Sequence, residues 1–233
     1  MNSTPTVGGY MLDTKPATIA YGQTQAIEVN KVLRNTYALL ALTLLFSAFT
    51  AGISMALNLP HPGLIITMVG YFGLLFLTQY LRNSVWGLAS IFALTGFMGL
   101  TLGPIISSYL SLPNGGQIVT NALGGTAITF LGLSGYALTT RKDFSFIGNF
   151  LFVGILVAFL AGLASIFFEM PALSLAVSAM FVLLMSGLIL YQTSSIIHGG
   201  ETNYIMATVT LYVSIYNLFT SLLHIFGVMG SDE

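Results

Sequence analysis

Seven long apolar segments are the feature that most constrains how this chain can fold. A transmembrane helix needs about 20 consecutive, mostly apolar residues. Segments of this kind lie at about 36–57, 63–81, 85–110, 117–139, 146–168, 172–191 and 204–227. They are far longer than the roughly 10-residue alternating strands of a membrane β-barrel. The sequence therefore predicts an all-α membrane protein in which seven transmembrane helices form a bundle.

The scarcity of charged residues supports this assignment. Asp, Glu, Lys and Arg make up 6% of the chain, whereas 55% is apolar. A soluble domain carries about 25% charged residues, and a globule with so few could not cover its surface in water. The net charge of −1 provides no basic field for nucleic acid. The chain has no cysteine, which excludes disulfides, thiolate catalysis and cysteine-bound metals.

The positions of the cations predict how the bundle is oriented. All six fall on one predicted side of the membrane, which we call the cation-rich side: Lys15, Lys31, Arg34, Arg82, Arg141 and Lys142. Because cytoplasmic loops carry the excess of Lys and Arg, the N-terminus is predicted to be cytoplasmic. With seven helices, the C-terminus is then expected on the opposite, periplasmic side.

Three regions are expected along the chain. Residues 1–30 are polar and are predicted to form a flexible cytoplasmic tail, with an interfacial helix at about 26–33. They lack a basic stretch followed by an apolar run, so no cleavable signal peptide is expected. Residues 31–228 form the seven-helix domain, and residues 229–233 form a short external tail.

Small residues are spaced along two of the predicted helices. Gly96, Gly99 and Gly103 lie along helix 3, and a second set on helix 5 comprises Gly154, Ala158, Ala161, Gly162 and Ser165. Helices in lipid associate through small residues, so both stripes indicate packing faces inside the bundle. A surface for another membrane protein is the alternative. Pro104 cannot donate to the carbonyl one turn back, and a bend is predicted there.

One serine motif is a candidate catalytic centre. Residues 132–135 read GLSG, which resembles the serine motif of rhomboid intramembrane proteases. Its only intramembrane histidine partner would be His224, at the opposite end of the bundle. Helix rise and bilayer thickness place His224 and Ser134 ~16 Å apart along the membrane normal. We therefore predict no catalytic residue and no enzyme.

No metal-binding spacing such as HExxH and no dinucleotide or P-loop fingerprint occurs, so no cofactor is expected.

Several motifs resemble those of a known family. Thr95-Gly96-Phe97, residues 102–105 (LGPI) and residues 138–143 (LTTRKD) resemble the Bax inhibitor-1 family of seven-helix membrane proteins. Residues 31–37 (KVLRNTY), 124–126 (GGT) and 196–205 (IIHGGETNYI) resemble one bacterial branch of it. The resemblance extends from about residue 28 to residue 227. The helix 3 motif comprises Gly96, Gly103 and Pro104.

The resemblance implies a regulatory function in the bacterial inner membrane. Members of that branch associate with the membrane protease FtsH and its partners HflK and HflC. They restrain FtsH from degrading other membrane proteins and are themselves slow substrates, engaged through the N-terminal tail. The candidate contact loop comprises His198, Gly199, Gly200, Glu201 and Asn203.

The wider family provides an alternative function. The resemblance implies pH-sensitive calcium leak channels in which Asp residues on helices 6 and 7 form the sensor and an Arg on helix 2 latches it. Gln192 and Ser214 match the two Asp positions, and neither titrates near neutral pH. Helix 2 has no interior Arg. An ion leak that is insensitive to pH or weakly regulated remains the alternative, and calcium flux into proteoliposomes would distinguish it.

Overall fold

The computed structural model describes the backbone of residues 15–230 and the side chains of residues 27–230. This part of the chain forms α1 (Lys15–Ala56), α2 (Leu64–Leu81), α3 (Trp86–Leu110), α4 (Gly115–Thr140), α5 (Gly148–Phe167), α6 (Pro171–Ile197) and α7 (Tyr204–Gly230). A 3-10 turn, Ser145–Ile147, precedes α5. All seven helices are long and apolar enough to span a membrane. The predicted all-α, seven-helix fold is confirmed.

The first helix begins well before the predicted membrane segment. The backbone is helical from Lys15, so residues 15–30 of the expected tail belong to α1, and residues 1–14 lie outside the described residues. Pro16 falls in the first turn, where a helix tolerates proline. The next proline is Pro60, beyond the end of α1. No helix-breaking proline therefore separates the interfacial stretch from the membrane span.

The sixth helix continues past the predicted end at residue 191. Its polar last turns remain helical because their side chains find partners elsewhere in the protein. The Thr193 hydroxyl lies 3.3 Å from the Tyr37 hydroxyl of α1. The Ser194 hydroxyl donates to the Lys142 carbonyl at 3.1 Å and accepts from the Phe144 N–H at 3.0 Å. The apolar run ends here, but the helix does not.

The seventh helix lies at the centre of the bundle. It packs against α1, α3, α4 and α6. Leu211 contributes to an apolar cluster with α1 and α3, Leu218 to one with α5 and α6, and Leu223 to one with α4. By contrast, α2 and α5 lie at the periphery, packed mainly on α3 and α6 respectively. Their many exposed apolar side chains face the surface that a bilayer would cover.

Glycines bring α3 close to α1. An added Cβ at any of three positions would collide with α1: Gly96 with Phe46, Gly99 with Thr50 and the Ser47 carbonyl, and Gly103 with Ser54 and the Ala51 carbonyl. On α5, a Cβ at Gly154 would lie 2.6 Å from Leu184 of α6. The α3 stripe therefore forms a packing face within this bundle, and so does the part of the α5 stripe at Gly154 and Ala158.

Candidate functional site

The candidate contact loop joins α6 to α7 at the cation-rich end of the bundle. Beside it lie the α2–α3 turn, which contains Arg82, and the α4–α5 loop, which contains Arg141 and Lys142. All three cations are exposed. The loop therefore belongs to a polar surface that three connections share.

Asn203 fixes the start of α7. Its Oδ1 accepts from the N–H groups of Ile205 and Met206 at 3.0 and 3.1 Å, as expected of an N-cap residue. Its Nδ2 donates to the Arg82 carbonyl at 3.0 Å and to Asn83 Oδ1 at 2.9 Å. The side chain thus uses its carbonyl and its amide group inside the protein. Of the predicted contact residues, Asn203 has a clear structural role.

The rest of the loop is a closed turn. Gly199 has φ = +75°, a left-handed conformation that glycine adopts without steric cost. The Gly200 N–H donates to the Ser195 carbonyl at 2.8 Å, which ends α6 in the usual manner of a glycine C-cap. Glu201 Oε1 accepts from the Asn203 N–H at 2.8 Å. These bonds give the loop a defined shape.

His198 is an exposed residue of this turn, as are Gly200 and Thr202. Its Nδ1 donates to the Ser194 carbonyl at 2.9 Å. Asp143, on the neighbouring loop, accepts from the Ser145 N–H at 2.8 Å. This bond, followed by the Ser145 hydroxyl and the charge of His198, holds the pKa of the Asp143 carboxyl below its usual value. Asp143 is therefore ionised at neutral pH, and the surface presents a carboxylate beside a histidine.

Gln192 and Ser214 do not form a bonded pair. Both side chains are buried. The Ser214 hydroxyl donates to the Thr210 carbonyl of its own helix at 2.8 Å. Gln192 Nε2 has no hydrogen-bond partner within residues 27–230. In the same part of the chain, no group of three His, Asp or Glu residues is placed to hold a metal ion.

Gln192 belongs to a layer of unpartnered polar groups. Thr36 Oγ1 on α1 and Ser134 Oγ on α4 are also buried without a partner among the described side chains. The Thr36 carbonyl accepts from Thr208 at 3.3 Å, which fixes its level against α7. Counted along the helices, Ser134 and Gln192 lie roughly 9 and 8 Å from the cation-rich ends of α4 and α6, and Thr208, which bonds Thr36, lies roughly 6 Å from that end of α7. Sequence inspection missed Thr36, because one threonine near a helix end carries no periodic signal.

The serine motif and the intramembrane histidine are not brought together. The His224 Nδ1 lies 2.7 Å from the hydroxyl of Ser178 on α6. Ser134 lies in the polar layer near the other end of the bundle and has no partner within the described side chains. His224 therefore pairs with a serine of α6 and not with the serine of the GLSG motif.

The helix 3 motif joins α3 to α1. Pro104 has no N–H to offer the Leu100 carbonyl one turn back. The Ser54 hydroxyl of α1 donates to that carbonyl at 2.8 Å. Gly103 permits the approach, since a Cβ there would lie 2.5 Å from Ser54 Cβ. The motif thus provides an interhelical hydrogen bond, and the predicted bend stays a prediction.

Comparison with known proteins is consistent with this architecture. A family profile described as "Inhibitor of apoptosis-promoting Bax1" matches residues 29–231. An uncharacterized protein of Pseudomonas aeruginosa is 60% identical over 88% of this chain and 93% of its own length. The "Modulator of FtsH protease YccA" of Escherichia coli K12 is 55% identical over 91% of this chain and 97% of its own length.

A second Escherichia coli relative, from strain CFT073, is named "Inner membrane protein YccA" and matches with the same identity and coverage. Together with the seven apolar spans, this relative supports a multi-pass protein of the inner membrane. The profile covers most of the chain, and the relatives align over nearly their whole lengths. The chain belongs to the Bax inhibitor-1 family.

Proposed function

We propose that this chain is an integral membrane modulator of the FtsH protease. The observation that carries the proposal is its 55% identity, over 91% of the chain, to the protein named a modulator of FtsH. Catalysis by Ser134 would need a different arrangement, because its hydroxyl makes no hydrogen bond to His224, which is bonded to Ser178. The chain would act as a non-enzymatic binding partner.

We further propose that the chain binds FtsH together with HflK and HflC and is itself a slow substrate. In this mechanism the protease engages the N-terminal end ahead of α1 on the cytoplasmic side. The interlocked helices then resist extraction, so the protease remains occupied and other membrane proteins are spared.

The cation-rich end supports a contact on that side of the membrane. Arg82, Arg141 and Lys142 are the cations of its loops, which the distribution of positive charge predicts to be cytoplasmic. The hydrogen-bonded loop presents His198 beside ionised Asp143. A surface of fixed shape loses little entropy on binding, which favours it as the docking face.

Substitutions in the contact loop test the docking face. His198→Ala removes an exposed side chain and is expected to reduce co-purification with FtsH while leaving the unfolding midpoint nearly unchanged. Asn203→Ala is the control for loss of stability. It removes a helix cap and should cost about 1 kcal/mol of the free energy of unfolding. Wild-type levels of FtsH recovery with His198→Ala would exclude this loop as the contact.

Deletion of the N-terminal end tests the slow-substrate mechanism. Removal of residues 2–20 is expected to prolong the lifetime of the protein in cells with active FtsH, because the protease loses its point of engagement. A shorter deletion of residues 2–14 spares α1 and separates loss of the end from damage to the helix. Cells without FtsH activity provide the control. An unchanged lifetime in active cells would refute the mechanism.

A further inference from the structure

A long groove opens between the two peripheral helices. It has a volume of about 730 Å³ and lies between α2 and α5, with walls and floor from α3, α6 and α7. Along α5 it extends from Phe152 to Ile166, which corresponds to ~21 Å of helix. On α2 it reaches Thr67, close to the end opposite the cations. The groove therefore runs from that membrane surface past the middle of the bundle.

Several polar groups on the groove wall have hydrogen-bond partners within the protein. The Tyr216 hydroxyl lies 3.4 Å from the Thr101 hydroxyl. Asn217 Nδ2 donates to the Val213 carbonyl at 2.8 Å, and Ser165 donates within α5. Most of the other side chains in the lining are apolar, and a water molecule needs two to four polar partners, so this lining offers water little. An apolar ligand suits the groove better than water.

The rim of the groove is continuous with the lipid-facing surface. On α5, the side chains of Phe152, Leu156 and Ile166 are 72%, 49% and 56% exposed. All three also line the groove. A hydrocarbon chain in the surrounding bilayer can therefore enter sideways without crossing a polar barrier.

The size of the groove selects among apolar occupants. A transmembrane helix about 10 Å wide and ~21 Å long occupies roughly 1,600 Å³, so only part of one would sit within the groove, whereas a single hydrocarbon chain can lie inside it. Half of a bilayer core is ~15 Å thick, so one lipid chain fits within the length of the groove. We propose that the groove binds a single acyl chain of a membrane lipid from the leaflet opposite the cation-rich side.

The bound chain would support α2, the least buried of the seven spans. Thr78 is the buried residue of α2, which otherwise packs mainly on α3. Phe72 of α2 and Phe159 of α5 meet edge to face, with ring centroids 5.9 Å apart, across the groove. An acyl chain alongside this pair fills the remaining gap and supplies the dispersion contacts that an empty groove lacks.

Tryptophan fluorescence tests the proposal in purified protein reconstituted in phospholipid vesicles. The chain has one tryptophan, Trp86, which Trp86→Phe removes. In that background, Phe181→Trp places a reporter in the groove. Phe150→Trp reports the lipid surface, since Phe150 is 73% exposed, and Phe219→Trp reports the protein interior, since Phe219 is 5% exposed. The two controls give the quenching expected at a lipid-exposed site and at a buried site.

Phospholipids brominated along the acyl chain are expected to quench the Phe181→Trp reporter nearly as much as the Phe150→Trp reporter. Adding Gly162→Leu should reduce quenching at the groove without changing it at the surface, because Gly162 lines the groove and a Cβ added there would meet only Val177, at 3.5 Å. Quenching as low as that of Phe219→Trp would overturn the proposal. Undiminished quenching with Gly162→Leu would also overturn the proposal. The same holds for cross-links between introduced cysteines that place a second copy of the chain in the groove.

Discussion

The contact between Ser54 and Leu100 shows how one residue is used to correct the effect of another. Proline removes a backbone donor, and a carbonyl left unpaired in lipid is costly. The Ser54 hydroxyl of α1 donates the missing hydrogen bond to the Leu100 carbonyl at 2.8 Å, and Gly103 makes room for it. Ser54 and Pro104 therefore act as a pair, although 50 positions separate them in the printed sequence.

A double-mutant cycle tests this pairing. Ser54→Ala should lower the free energy of unfolding by about 1 kcal/mol, because the Leu100 carbonyl loses its donor. In the Pro104→Ala background the same change should cost less, since residue 104 then has an N–H for that carbonyl. The measurement is unfolding by a denaturing detergent. Equal costs in both backgrounds would show that the two residues are independent.

The part that sequence inspection could not supply is the pairing of particular side chains. Gly103 and Pro104 were identified from their types, since glycine and proline have distinct effects on a helix. Ser54 was not, because a hydroxyl that bonds its own helix and one that bonds a neighbour have the same sequence signal. The same holds for Thr36, whose importance depends on which helices surround it.

At the scale of helices, the hydropathy pattern predicts the spans better than their ends. The apolar segment of a helix corresponds to the part that spans lipid. Accordingly, α2 and α3 begin and end within a residue of their predicted bounds. The last turns of α6 are polar yet helical, because α1 and the α4–α5 loop provide partners for Thr193 and Ser194. Hydropathy therefore does not detect the end of a helix whose polar last turns are buried against other parts of the protein.

The close approach of α1 and α3 can be tested with matched glycine substitutions. Gly99→Ala should lower the free energy of unfolding by about 1–3 kcal/mol, because the new methyl group collides with the Ser47 carbonyl. Gly124→Ala, on α4 in open space, should be neutral or stabilising by up to about 1 kcal/mol. Similar results for both variants would contradict the assigned α1–α3 interface.

For the whole molecule, the packing is arranged around α7. This helix contributes to three apolar clusters, and its Tyr212 joins two other helices. The Tyr212 hydroxyl lies 2.6 Å from Ser47 of α1 and donates to the Thr95 carbonyl of α3 at 3.3 Å. The bundle is thus held at its centre, whereas α2 and α5 remain open to lipid.

The orientation of the bundle gives a prediction for the intact protein. A reporter fused after Glu233 should be accessible only from the periplasmic side, because the cation-rich loops stay in the cytoplasm. A reporter inserted beside Lys142, in the loop after α4, is the control for the opposite side and should be accessible from the cytoplasm. Periplasmic labelling of that loop would reverse the assigned topology.

The continuity of α1 has a mechanical consequence. Tension applied to its amino end would travel along one unbroken helix into the middle of the bundle. There α1 packs along its side against α3 and α7. The force therefore acts parallel to these interfaces, in shear, and many contacts must break at the same time. Pulling on α2, a peripheral helix, would instead separate it from α3 one turn at a time. A motor that starts at this end of the chain meets the more resistant geometry first.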